Sequence, residues 1–329
     1  MSTYENLHGR RVNVVSSNPS NPKEGEVWYN STLGLLKGYV LAPATMSAGD
    51  TVSTARTQLG GCGAAQTSGV IFGGEAPSLT GATEEYDGTS WTGGGTCPAT
   101  KSDMHSSGTQ TAALWGGGSP TSSASYEYDG SSWTGTGAMP FSNRDCFGGS
   151  AGIQTAALQV GGFISPGNYS TVMCTYDGSS WTNIPQTFPS GPRTGNFSTT
   201  GIQTACLSVG GGPGTPQTVS SEWNGSAWTT TNALVTGNNS AVHKGTVSSS
   251  VLLGGPPPSG GYGSGIQTWD GTNWSTSPIS LSTGRSQAAG AGTATSAYIA
   301  TGTGPGGTYT NSTEEFDAAA VATKTLTTS

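Results

Sequence analysis

The most suggestive chemistry in this chain is a carboxylate set close to an indole. Asp87, Asp129, Asp177 and Asp270 each precede a glycine and stand four positions ahead of Trp91, Trp133, Trp181 and Trp274. Carboxylates beside rings on which a sugar can stack are the parts of a glycoside-cleaving site. The adjacent pairs Glu84-Glu85 and Glu314-Glu315 do not supply the second carboxylate. Neighbouring residues on a strand point to opposite faces. The three histidines, His8, His105 and His243, share no metal-ligand spacing. Asp103, His105 and Ser106 are close in sequence, but a nucleophilic triad is assembled in space. The glycine doublets precede no helix that could present a phosphate-binding N-terminus. These residues therefore predict no catalytic set, no metal and no cofactor.

The elements that carry the acids explain them better. The phrase aromatic-(Asp/Asn)-Gly-(Ser/Thr)-x-Trp runs from Tyr86 to Trp91, Tyr128 to Trp133, Tyr176 to Trp181, Trp223 to Trp228 and Trp269 to Trp274. A decayed copy stands at Phe316-Asp317. The interval is roughly 42 to 48 residues, the period of blade-type β repeats. Asp-Gly marks a hairpin, since Gly accepts positive φ and Asp bonds its own backbone. Parity favours a four-residue loop, which sets Tyr86 directly opposite Trp91 on one face. Ahead of each phrase lies a short apolar strand ending in glycines, as in Val70-Ile71-Phe72-Gly73-Gly74 and Val251-Leu252-Leu253-Gly254-Gly255. It reads as an inner strand buried on both faces. A basic residue recurs before it at Arg56, Lys101, Arg144, Arg193 and Arg285, with Asn239 in the fifth slot. Each repeat is thus four short strands, a to d.

Composition agrees. Of 329 residues 54 are Gly and only 9% are charged, yet nine Trp and eleven Tyr at regular spacing need packed partners. The formal charge of −7 leaves no basic surface for phosphates and excludes nucleic acid as an expected partner. Five cysteines, Cys62, Cys97, Cys146, Cys174 and Cys206, hold different positions in their repeats and read as free, buried and small, as suits a reducing cytoplasm. No segment has the apolar length of a signal peptide or a membrane span.

The order of basic residue, apolar strand, Gly-Gly, Tyr and Trp over about residues 50–329 resembles the kelch repeat. That resemblance implies an all-β fold, a β-propeller of six four-stranded blades over 51–329, with partner recognition on the b-to-c and d-to-a loops. The phrase is not the sialidase Asp box, in which Asp and Gly are separated by one residue. Residues 1–50 differ. Their string Gly25-Glu26-Val27-Trp28-Tyr29-Asn30-Ser31-Thr32-Leu33-Gly34 reads as a hairpin and resembles a module of tailed-bacteriophage structural proteins. It could also add a partial seventh blade.

Together these readings predict a non-enzymatic virion component, folded in the host cytoplasm. Trp28 and Tyr29 are the candidate attachment residues toward other virion proteins or a second copy of the chain. Tyr169, Tyr262 and Tyr309, in the variable b-to-c loops, are the candidate contacts to a host-surface glycan or protein. A carbohydrate-active enzyme and an intracellular kelch adaptor are the alternatives.

Overall fold

The computed structural model describes residues 12–144, 150–164, 168–188, 197–212 and 216–326. His8, Cys146, Arg193 and positions 165–167 of the third b-to-c loop lie outside them. The chain divides into two compact units, one of residues 46–317 and one in which 12–45 join 318–326. Apart from a 3-10 turn at Pro305–Gly307, the described elements are strands.

The larger unit holds six four-stranded sheets. In the first, Gly60–Ala65, Ser68–Phe72, Thr83–Tyr86 and Trp91–Gly93 form an antiparallel meander, strands a to d. The innermost strands of the next five are His105–Thr109, Ser150–Ile153, Phe197–Ile202, Val242–Gly245 and Ala289–Gly292. Each packs beside the next, and Ala289–Gly292 returns to Gly60–Ala65, so the cycle is closed. Val70, Ile71, Phe72, Leu252 and Leu253 on strands b are fully or almost fully buried, because the second strand has a sheet on either side.

The sixth sheet corrects the expected boundary at residue 50. Its outer strand is Thr45–Ala48, from the start of the chain, placed beside Thr313–Asp317. Gly49 then donates to the Thr313 carbonyl as Gly94 does to Thr83. The sixth repeat lacks a Trp because no hairpin follows Phe316-Asp317. Strand d is already present, and the chain departs at Ala318. The Gly-Gly pair is incomplete there as well. Thr301 occupies the first glycine's left-handed backbone, φ 63° against 65° at Gly73 and 69° at Gly254, an unusual conformation for a β-branched residue.

In the smaller unit, Val27–Asn30 and Leu35–Ala42 form the expected hairpin, with Asn30 opposite Leu35 across Ser31-Thr32-Leu33-Gly34. Asn13–Val15 runs parallel along one side, and Ala320–Thr325 pairs antiparallel along the other. This hairpin therefore belongs to its own four-stranded sheet and supplies no blade to the larger unit.

Candidate functional site

The repeated phrase is a bracket between blades. Tyr86 stands opposite Trp91 in register, and the same holds from Tyr128 to Trp133, Tyr176 to Trp181, Trp223 to Trp228 and Trp269 to Trp274. Ring centroids lie 4.8 Å apart in the first pair. Asp87 accepts hydrogen bonds from the Thr89 hydroxyl and from the Thr89 and Ser90 amides, which close the four-residue loop and hold its pKa down at about 2. Such a carboxylate has its lone pairs committed and is poorly placed as an acid or base.

The aromatic side chains reach back one blade. Tyr86 donates to Glu315, Tyr128 to Glu85 and Tyr176 to Glu127, at 2.6 to 2.8 Å. The Trp91 indole donates to Thr313, Trp133 to Thr83, Trp181 to Ser125 and Trp274 to Ser220, each the first residue of the preceding strand c. A further clasp went unread in the sequence. The Gln154 amide donates to the Ala113 and Tyr128 carbonyls, Gln203 to Ala157 and Tyr176, and Gln66 to Ala297 and Phe316, while Gln110 donates to Tyr86. Its signal was available as a Gln-Thr dipeptide at Gln66, Gln110, Gln154 and Gln203.

The basic slot is also structural. Arg56 and Arg285 are buried and ion-paired to Glu84 and Glu314, and Arg56 also donates to the Gly73 and Ala82 carbonyls. The register differs from the expected one in two blades. The carbonyls of Arg56, Lys101, Asn143, Asn238 and Arg285 accept from the second glycine position of the preceding blade, so Asn143 and Asn238 fill the slot in place of Arg144 and Asn239. Arg144 instead sits 4.5 Å over the Phe163 ring.

These same bonds join the d-to-a and b-to-c loops on one face of the ring. Tyr262 and Tyr309 lie there on neighbouring blades. A Cβ on Gly307, two residues before Tyr309, would stand 3.9 Å from the Tyr262 hydroxyl. Tyr309 is 36% exposed beside Glu75, and burial together with that carboxylate raises its pKa. Tyr169 is apart, on the third blade, with its ring edge against Phe163 at 5.2 Å. Tyr262 lines a 340 Å³ cavity with Pro257, Asn238, Gln267, Thr236 and Thr276. Asn238 donates through Nδ2 to the Gly254 carbonyl, while its buried Oδ1 has no partner.

Asp103, His105 and Ser106 are not assembled as a triad. Both ring nitrogens of His105 are buried without a partner, its ring lies edge-on to Trp181 at 5.0 Å, and burial lowers its pKa to about 3. Ser106 bonds the Gly61 backbone. Cys62, Cys97, Cys174 and Cys206 are free and buried, and burial raises the thiol pKa of Cys62 and Cys97 to about 12. Among the described residues no three His, Cys, Asp or Glu side chains are grouped to hold a metal, and no helix is long and apolar enough to cross a membrane.

The two attachment candidates separate across the strand. Trp28 is fully buried, its indole donating to Asn18, whereas Tyr29 points the other way and is 39% exposed, with Val14 paired beside it.

No protein-family profile matches this chain, and no curated protein matches it. Among solved structures, the one titled "Structure of YjhT" aligns over 83% of this chain and 99% of its own, with a TM-score of 0.65 and 13% identity. At that identity the shared property is the fold. The chain is an all-β protein that contains a β-propeller.

Proposed function

We propose that this chain is a kelch-like, carbohydrate-binding propeller of a tailed-phage virion, with its glycan contact at the Tyr262 cleft. The observation that carries the reading is the make-up of that cleft. Tyr262 and Pro257 are among the residues lining it, together with the polar residues Thr236, Asn238, Ser264, Gln267 and Thr276. A sugar presents the same alternation of apolar face and hydroxyl edge, and 340 Å³ lies near the lower end of ligand cavities, ~300–1,000 Å³. No carboxylate lines the cleft among the described residues, which favours holding a glycosidic bond over cleaving it. The hairpin resemblance of Gly25 to Gly34 supports the virion assignment, and exposed Tyr29 is the better attachment residue of its pair.

A glycan array probed with the full chain tests the binding. Tyr262→Ala should lose at least tenfold in affinity for the best glycan with an unchanged melting temperature. Equal binding by the variant would remove the cleft from consideration. Immunogold labelling of purified particles tests the virion assignment, which fails if intact particles are unlabelled.

A carbohydrate-active enzyme is the second reading. Its candidate acid is Asp103, a carboxylate-bearing residue only 6% exposed. New reducing ends or unsaturated sugars released from host polysaccharide, and lost in Asp103→Asn, would establish this reading.

A further inference from the structure

The fourth copy of the repeated phrase departs from the others at its acidic position. It carries Asn224 where the corresponding residues are Asp87, Asp129, Asp177 and Asp270, and Asn224-Gly225 is the one Asn-Gly step in the sequence. The loop is nevertheless built the same way. The Asn224 amide donates to the Ala227 carbonyl at 3.2 Å, as Asp129 does to Ser132. Asn224 Oδ1 accepts from the Ser226 amide at 3.0 Å, the Ser226 hydroxyl at 2.9 Å and the Ala227 amide at 2.9 Å. The four Asp loops make the two backbone bonds at 2.7 to 2.9 Å. A carboxylate accepts such bonds more strongly than an amide oxygen does. Hydrogen bonds from Thr89 and Ser90 hold Asp87, and those from Ser180 and Ser179 hold Asp177, down at about 2. The loop is therefore suited to a charged acid, and the fourth blade carries the neutral amide in its place.

The same bonds arrange a reaction. Oδ1 is bound to the amides two and three residues ahead, which folds the side chain onto its own following backbone and turns Cγ toward the intervening Gly225 nitrogen. That nitrogen donates no hydrogen bond among the described residues, so nothing holds it back. Three donors converge on the oxygen that takes up negative charge when a nucleophile adds at Cγ, the arrangement that stabilises an oxyanion. Gly225 has φ 91° and no side chain to obstruct the approach. Asn224, Gly225, Ser226 and Ala227 are all exposed, so water and base reach the loop.

We infer that Asn224 is a deamidation site, at which the fourth hairpin converts its own amide into the acid that its counterparts carry. The Gly225 nitrogen gives its proton to solvent base and attacks Asn224 Cγ. The new N–Cγ bond closes a five-membered imide, and the Cγ–Nδ2 bond breaks to release ammonia. Water then opens the ring. Addition at Cγ breaks the new bond and leaves an aspartate at position 224, whereas addition at the backbone carbonyl leaves the chain running through the side chain as iso-aspartate. The first product keeps the four-residue loop and its acceptor. The second inserts a methylene between Trp223 and Trp228, which stand in register across the hairpin. Either product adds one negative charge to the formal −7. The hairpin joins strands c and d, whereas the Tyr262 cleft is built from b-to-c and d-to-a loops, so this site does not depend on glycan binding.

Incubating the full chain in mildly alkaline buffer, with peptide mapping by mass spectrometry over time, tests the site. Asn224 should convert at least tenfold faster than Asn232, Asn239, Asn273 and Asn311, through an intermediate lighter by one ammonia, and the rate should rise with pH. A protease that cuts before aspartate but not before iso-aspartate separates the two products. Asn224→Asp should run with the converted protein in isoelectric focusing and melt at or above the wild-type temperature. Ser226→Ala, which lacks the hydroxyl donor to Oδ1, should slow conversion several-fold with an unchanged melting temperature. The inference is overturned if Asn224 converts no faster than the other four asparagines. Conversion of Ser226→Ala at the wild-type rate would remove the converging donors from the reaction, and a lower melting temperature of Asn224→Asp would show that the loop does not favour the acid.

Discussion

The Tyr128 hydroxyl of the second blade donates to the Glu85 carboxylate of the first at 2.6 Å. Glu85 directly precedes Tyr86, and Tyr86 makes the same bond to Glu315, so the contact passes from blade to blade through one dipeptide. It stops where the aromatic is Trp223 or Trp269, which carry no hydroxyl.

Alkali should loosen these joints first. Burial, and for Tyr128 the Glu85 bond, raise the pKa of Tyr128 and Tyr176 to about 12, and Tyr86 moves the same way. Each folded pKa lies above the unfolded value, so its contribution is complete below about pH 10 and is lost as pH rises towards 12. Thiols raised by burial add to this loss from about pH 9. Replacing Tyr86, Tyr128 and Tyr176 together by Phe should cost about 1–2 kcal/mol per site at neutral pH. It should also flatten the fall in melting temperature between about pH 10 and 12. An unchanged alkaline slope would count against the assignment.

The Gln clasp should be transferable. Gln154→Ala leaves the Ala113 and Tyr128 carbonyls without that donor and is expected to cost about 1–3 kcal/mol in urea unfolding. In the fifth blade Val247 replaces the glutamine. Val247→Gln should recover about 0.5–1.5 kcal/mol by bonding the fourth blade's carbonyls. A loss at Val247→Gln comparable to that at Gln154→Ala would show the clasp to be incidental.

Acid should act through the histidines before the hairpin aspartates. Burial lowers His105 and His243 to about 3. Both folded values lie below the unfolded one, so this stabilising contribution is present above about pH 6.5 and is lost as pH falls towards 3. Between about pH 6.5 and 5 the carboxylates remain ionised, which isolates the effect. His105→Leu should reduce the drop in urea midpoint across that window, and it also removes two unpartnered buried nitrogens. A variant with the wild-type drop would contradict the burial argument.

What was legible in the sequence was whatever repeats along it. The register of Tyr86 with Trp91 followed from parity alone, since a four-residue loop is the one that puts both rings on one face. The sixth blade was only half legible, because Thr45–Ala48 and Thr313–Asp317 are distant in sequence and resemble no repeated phrase. The Gln clasp repeats as well, but a polar residue in a turn looks solvated until its two carbonyl partners are placed. Of the three loop tyrosines, Tyr262 and Tyr309 converge and Tyr169 does not, a distinction set by blade order around the ring.

The outer strand of the last blade has a consequence for biosynthesis. Thr45–Ala48 is translated long before Thr313–Asp317, so for most of its synthesis the ring is a crescent with its first edge waiting. Early blades can form as local meanders, but the circle is latched only by a pairing that spans nearly the whole chain, a long-range contact of the slow kind. Until then the crescent presents two raw sheet edges, the surfaces through which unfinished β proteins join one another.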